Sequence, residues 1–104
     1  MTPIIGITAD LHENRHRASC QYAEAVQKAG GIPIILPPMI EMAEHYLHIC
    51  DAFVFTGGDD PIMEQWSIAT HPNAVPVQQM RQQFETSLLE LLQEHPEIPV
   101  LGIC

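Results

Sequence analysis

Pro99-Val100-Leu101-Gly102-Ile103-Cys104, PVLGIC, is the stretch whose reading decides the fold. Val100 and Leu101 open a short apolar run, punctuated at its start by Pro99. A run of that kind reads as a buried strand of a parallel sheet. Gly102 and Cys104 then fall where the strand leaves the sheet, the place where open α/β sheets hold ligands and reactive groups. A cysteine at a strand end, before a turn into a helix, is the thiol counterpart of a nucleophile elbow. Cys104 is therefore the candidate nucleophile, and the sequence stops on it.

The segments before this strand alternate between helix and strand. From Val77 to Glu94 the apolar positions Val77, Met80, Phe84, Leu88, Leu91 and Leu92 mark one helical face, and His95-Pro96 ends it. Ahead of it, Met63 to Pro76 is a long irregular stretch with Trp66, His71 and two prolines, and an insertion of that length is more often functional than idle. Ala52 to Phe55, AFVF, reads as a third strand and runs straight into Thr56-Gly57-Gly58-Asp59-Asp60-Pro61. Paired glycines at a strand's carboxyl end make an ordinary tight turn or expose backbone N–H groups to an anion. Ile40 to Cys50 fits a helix with Met39, Met42, Ala43, Tyr46, Leu47 and Cys50 on its face.

Ile32 to Leu36, IPIIL, reads as a second buried strand, stopped by Pro37-Pro38. Ser19 is the N-cap of a helix bearing Tyr22, Ala23, Val26 and Ala29, closed by Gly30-Gly31. Pro3 to Thr8, PIIGIT, is the first strand, and Gly6 within it suggests close approach by another backbone. Ala9 to Arg17 is polar and reads as a loop leaving that strand, hence a candidate pocket wall. The order β-α-β-α-β-loop-α-β argues an α/β fold with a doubly wound parallel sheet and right-handed crossovers.

Composition narrows the function. The chain has 104 residues, 46% of them hydrophobic, and a formal net charge of −9. That balance excludes neither catalysis nor binding, but it disfavours nucleic acid and anionic membranes as partners. Apolar runs are too short to span a bilayer, and the N-terminus lacks the basic region of a signal peptide. Cys20, Cys50 and Cys104 are odd in number and widely spaced, which suits a reducing cytoplasm better than a disulfide scaffold. His12 with His16, and His45 with His48, have spacings that could pair imidazoles on a helix. The first pair lies in a polar stretch with no Cys or carboxylate ligand pattern beside it, and the second on the solvated side of a helix that already has an apolar face, so no metal or organic cofactor is expected.

Taken together in register, PIIGIT, AGGIPIILPP, DAFVFTGGDDP, MRQQFETSLLELL and IPVLGIC resemble class I glutamine amidotransferase-like cysteine hydrolases. The branch most similar is that of γ-glutamyl-γ-aminobutyrate hydrolases and γ-glutamyl peptide hydrolases. The resemblance implies a flavodoxin-like sheet, with Cys104 as nucleophile. It implies an oxyanion-hole N–H at Gly58, with Gly57 in the same turn, and substrate-binding roles for Asp59 and Arg81. The family's Arg-Asp pair is here Arg81-Gln82, which puts the role of that position in question. The family's catalytic His and its acidic partner lie downstream of the cysteine.

Residues 1–104 are thus expected to form the amino-terminal portion of one domain, inactive alone. They would be completed by a continuation or a second chain, with a homodimer also open. The implied chemistry is transfer of a γ-glutamyl group to the thiol and then to water. Two other readings stand beside it: a glutaminase half supplying ammonia to a synthetase, and a non-catalytic flavodoxin-like binding module.

Overall fold

The computed structural model describes residues 2–57 and 79–103. The glycine turn from Gly58 onward, the 63–76 stretch, the start of the third helix at Val77 and Cys104 all lie outside them. Strand β1 (Ile4–Thr8) is followed by a hairpin of β2 (Asp10–His12) and β3 (Arg15–Arg17), then helix α1 (Cys20–Lys28) and β4 (Ile32–Leu36). A 3₁₀ turn (Ile40–Met42) leads into α2 (Ala43–Ile49), and β5 (Ala52–Phe55), α3 (Gln79–Gln93) and β6 (Val100–Gly102) complete the described chain.

Four strands form one parallel sheet in the order β4-β1-β5-β6. The chain therefore steps from β1 outward to β4 and returns past β1 to β5. This is the doubly wound, flavodoxin-like order, and its direction reverses between β1 and β5. Helices α2 and α3 pack on each other and share a core with the sheet, built from Leu36, Leu47, Phe53, Phe55, Phe84 and Leu88. Helix α1 packs against β1 and β4 and buries no residue completely. No described helix is long and apolar enough to cross a membrane.

Four sequence expectations are revised. The polar segment after β1 is an antiparallel hairpin rather than a loop, pairing Asp10 with Arg17, Leu11 with His16 and His12 with Arg15. Its two-residue turn places Glu13 and Asn14 at φ 49° and 62°. Both central residues at positive φ match the right-handed twist of the strands, and Asn tolerates that region well. His12 and His16 consequently share a hairpin, not a helical face.

Secondly, β4 is the outer strand of the sheet among the described residues, and Ile32 and Ile35 are 44% and 40% exposed where its continuous apolar run predicts burial. Thirdly, the buried face of α3 begins with Arg81 and Gln82, while Met80 is half exposed. An apolar count misses this because a charged side chain holds a core position.

The fourth revision concerns Gly6. What approaches it is side chain, not backbone: a Cβ there would lie 2.8 Å from Leu36 Cδ1, 2.9 Å from Cys50 Sγ and 3.1 Å from Phe53 Cδ1. All three neighbours are buried and close-packed. Gly6→Ala is expected to destabilise the fold by about 1–3 kcal/mol, the usual range for overpacking, as read by urea unfolding.

Cys50 belongs to this core at 5% exposure. Burial, aided by the neighbouring Asp51 carboxylate, pushes its thiol up to about 11. A folded-state value above the usual 9.0 means that the buried neutral thiol adds stability below pH 9, and that this is lost as pH rises through about 11. Thiolate is the reactive form. Iodoacetamide at pH 8 is therefore expected to modify exposed Cys20 in the native protein, and Cys50 only after unfolding, as read by peptide mass mapping.

Candidate active site

The carboxyl ends of β1 and β5 meet at the reversal point, and two threonines hold them together there. The Thr56 amide donates to Thr8 Oγ1 at 2.9 Å, and Thr56 Oγ1 donates to the Thr8 carbonyl at 3.0 Å. The two hydroxyl oxygens lie 3.2 Å apart. Since the single Thr56 hydroxyl proton goes to the carbonyl, the Thr8 hydroxyl is the donor between them. Both threonines are buried, so the ladder of β1 and β5 is extended by side chains just where the backbone turns away.

Arg81, from the first turn of α3 described, locks this junction from below. One guanidinium nitrogen, Nη2, donates to the Thr56 carbonyl at 2.9 Å and to Thr56 Oγ1 at 3.0 Å. Its Nε pairs with Glu85 one helical turn on. Its Nη1 lies 3.7 Å from Asp10 Oδ1, at the start of β2, and has no hydrogen-bond partner among the described residues. Arg81 is 2% exposed. A guanidinium suits this position because its rigid fork reaches several acceptors at once, whereas a lysine offers a single point charge. Burial raises the pKa of Glu85 above the usual carboxylate range, opposed by the hydrogen bond and charge of Arg81 and reinforced by the charge of Asp10.

Holding the Thr56 carbonyl fixes the peptide plane that follows. In a trans peptide the next N–H points to the opposite side. The Gly57 N–H meets the Tyr22 hydroxyl at 3.3 Å, from the first turn of α1. Ser19 caps that helix through its Oγ, accepting from Gln21 N at 3.4 Å. Asp10, Arg17, Ser19, Tyr22, Thr56 and Gly57 thus surround a cavity of about 380 Å³ at the strand ends.

A second cavity, also of about 380 Å³, lies on the β6 side of the same junction. Thr56, Glu85, Gly102 and Ile103 line it. The Ile103 N–H donates to the Phe55 carbonyl at 2.9 Å, so the chain leading to Cys104 runs beside the end of β5.

The sequence-designated residues therefore fall as follows. Gly57 lines the first cavity, and Arg81 is buried behind it rather than exposed to it. Gly58, Asp59 and Cys104 lie outside the described residues. Sequence reading placed a pocket wall in the Ala9–Arg17 segment, and Asp10 and Arg17 supply it. It took Tyr22 for a plain helix-face residue. A Tyr in the first turn of a helix that follows a strand end is the signal that was there to be read, since the phenol carries a polar tip on an apolar body.

Comparison with known proteins adds the following. The family model for Peptidase C26 matches residues 3–104. A Rickettsia prowazekii protein named as a putative glutamine amidotransferase-like protein is 31% identical over 98% of this chain and 40% of its own length. Protein NtpR of Enterococcus hirae is 30% identical over the whole chain and 47% of its own length. A Mycobacterium tuberculosis protein named as a putative glutamine amidotransferase is 30% identical over 98% of this chain and 36% of its own length. The chain spans less than half the length of these curated relatives.

Proposed function

We propose, from the premise that this chain belongs to the Peptidase C26 family, that it contributes the nucleophile and oxyanion-binding half of a cysteine hydrolase of γ-glutamyl amides. The observation that carries the reading is the meeting of strand ends. Ile103, one residue before Cys104, is bonded to the end of β5, two residues before Gly57. A nucleophile on one strand end and backbone donors on its neighbour is the arrangement acyl transfer needs.

In the proposed reaction the Cys104 thiolate attacks the γ-carbonyl carbon and a C–S bond forms. The oxygen takes the negative charge, accepting from the N–H of Gly58. The C–N bond then breaks, and the amine leaves with a proton from the general acid. Water next attacks the thioester, releasing glutamate and the thiol. A free cysteine is mostly thiol at neutral pH, so a base is required. By family resemblance, the base His and its acidic partner come from chain beyond the matched region. That chain would also cover the β6 edge, where Val100, Leu101 and Ile103 are 45%, 58% and 39% exposed. An outer strand with an apolar face of this kind is commonly covered by another element.

The test is amine release from γ-glutamyl amides by the full native chain, measured against free glutamine. Preferential release of amines from γ-glutamyl amides supports the hydrolase. Ammonia release from glutamine alone, dependent on a partner synthetase, supports the second reading, a glutaminase half, which the names of the relatives favour.

A further inference from the structure

The cavity between the hairpin, α1 and the β5 turn contains donors that are poorly satisfied. Arg17 reaches Asp10 Oδ2 only through long contacts, 3.4 Å from Nε and 3.3 Å from Nη2. Charge-assisted pairs of good geometry close to about 2.7–2.9 Å. The Gly57 N–H meets Tyr22 at 3.3 Å, also beyond the usual N–H···O distance of about 2.9–3.0 Å. Directly behind Asp10, the buried Nη1 of Arg81 has no hydrogen bond among the described residues.

Two donors that line the cavity, the Arg17 guanidinium and the Gly57 N–H, hold their acceptors only at long distance, and an anionic group would satisfy both more closely. The Tyr22 hydroxyl accepts from Gly57, so its own proton is free to be donated to the same anion. Beside Arg17 stands the Asp10 carboxylate, a quarter exposed, with Oδ1 held by the Leu11 N–H at 2.8 Å. Oδ2, bound among the described residues by the loose Arg17 contact, can take a cation. The cavity volume of about 380 Å³ accommodates a small polar molecule.

We infer that this cavity is a recognition site for a zwitterionic α-amino-acid head group. The carboxylate lies against Arg17, the Tyr22 hydroxyl and the Gly57 N–H, and the ammonium lies against Asp10. The inference rests on the hydrolase reading for its substrate, since a γ-glutamyl compound carries such a head group at the end remote from the bond that breaks. In that setting Asp10, Arg17 and Tyr22 determine specificity and take no part in the chemistry.

The test is calorimetric titration of the full native chain with L-glutamate, with glutarate (which lacks the α-ammonium) and with 4-aminobutyrate (which lacks the α-carboxylate). L-glutamate is expected to bind about 10- to 100-fold more tightly than either analogue, the worth of one charged hydrogen-bonded pair. Asp10→Asn should erase the preference over glutarate, and Arg17→Gln the preference over 4-aminobutyrate. Tyr22→Phe, the conservative change, should weaken L-glutamate and glutarate alike. Equal binding of the three ligands, or preferences unmoved in Asp10→Asn and Arg17→Gln, overturns the proposal. Absence of amine release with these binding patterns intact overturns the hydrolase reading and leaves the head-group site standing.

Discussion

Arg81→Met is expected to cost about 3–5 kcal/mol of unfolding free energy, the range for breaking a buried ion pair by removing one partner. The reason is what it leaves behind. The Thr56 carbonyl and Oγ1 lose their guanidinium donor, and Glu85 keeps a desolvated carboxylate with Asp10 as its charged neighbour. Methionine fills most of the arginine's volume, so the loss is electrostatic rather than a void.

The penalty has a pH signature. Glu85 already titrates above its ordinary value, and without Arg81 it rises further. A carboxyl whose folded pKa is raised contributes stability at acid pH that is lost as pH rises through the folded value. The variant's deficit should therefore be smaller at pH 4 than at pH 8 in urea unfolding. Adding Glu85→Leu should restore much of the stability, because an apolar replacement of a buried pair is commonly neutral or better. A flat pH profile, or no recovery in the double variant, would show that Arg81 holds the junction by packing alone.

Cys104→Ala carries the largest expected effect on activity. Removing the nucleophile from a covalent mechanism costs on the order of 10⁴- to 10⁶-fold in kcat, leaving only the contribution of binding and oxyanion donors. Stability should change little, since replacing a thiol by a hydrogen removes a single heavy atom. The pairing of large catalytic loss with an unaltered unfolding curve separates this variant from Arg81→Met. There, activity falls because the Thr56–Gly57 turn is no longer held.

The sequence disclosed the four parallel strands, their order of appearance and three helices, because each strand is an apolar run bounded by Gly or Pro and each helix has a periodic face. It did not disclose the β2–β3 hairpin. Asp10 to Arg17 lacks apolar alternation, and its pairing is set by a turn at Glu13-Asn14 that no Gly announces. Nor did periodicity reveal that Arg81 occupies a core position, since the partners that make its burial tolerable, Thr56 and Glu85, are assembled only by the fold. The carboxyl-end location of the site was legible from Gly57 and from the strand that precedes Cys104. Tyr22 was legible only as a polar tip in the first turn of a helix; its partner is a peptide plane fixed by Arg81 across the sheet, which no local pattern shows.

The central claim, a nucleophilic cysteine beside the β5 turn, is tested most directly by treating the full native chain with a glutamine-like electrophile such as a γ-diazoketone analogue. Peptides are then mapped by mass spectrometry. The account predicts one stoichiometric adduct on Cys104, suppressed by prior addition of a γ-glutamyl amide, with Cys20 and Cys50 unmodified. An adduct confined to Cys20, or continued amine release from protein bearing no adduct on Cys104, would contradict it.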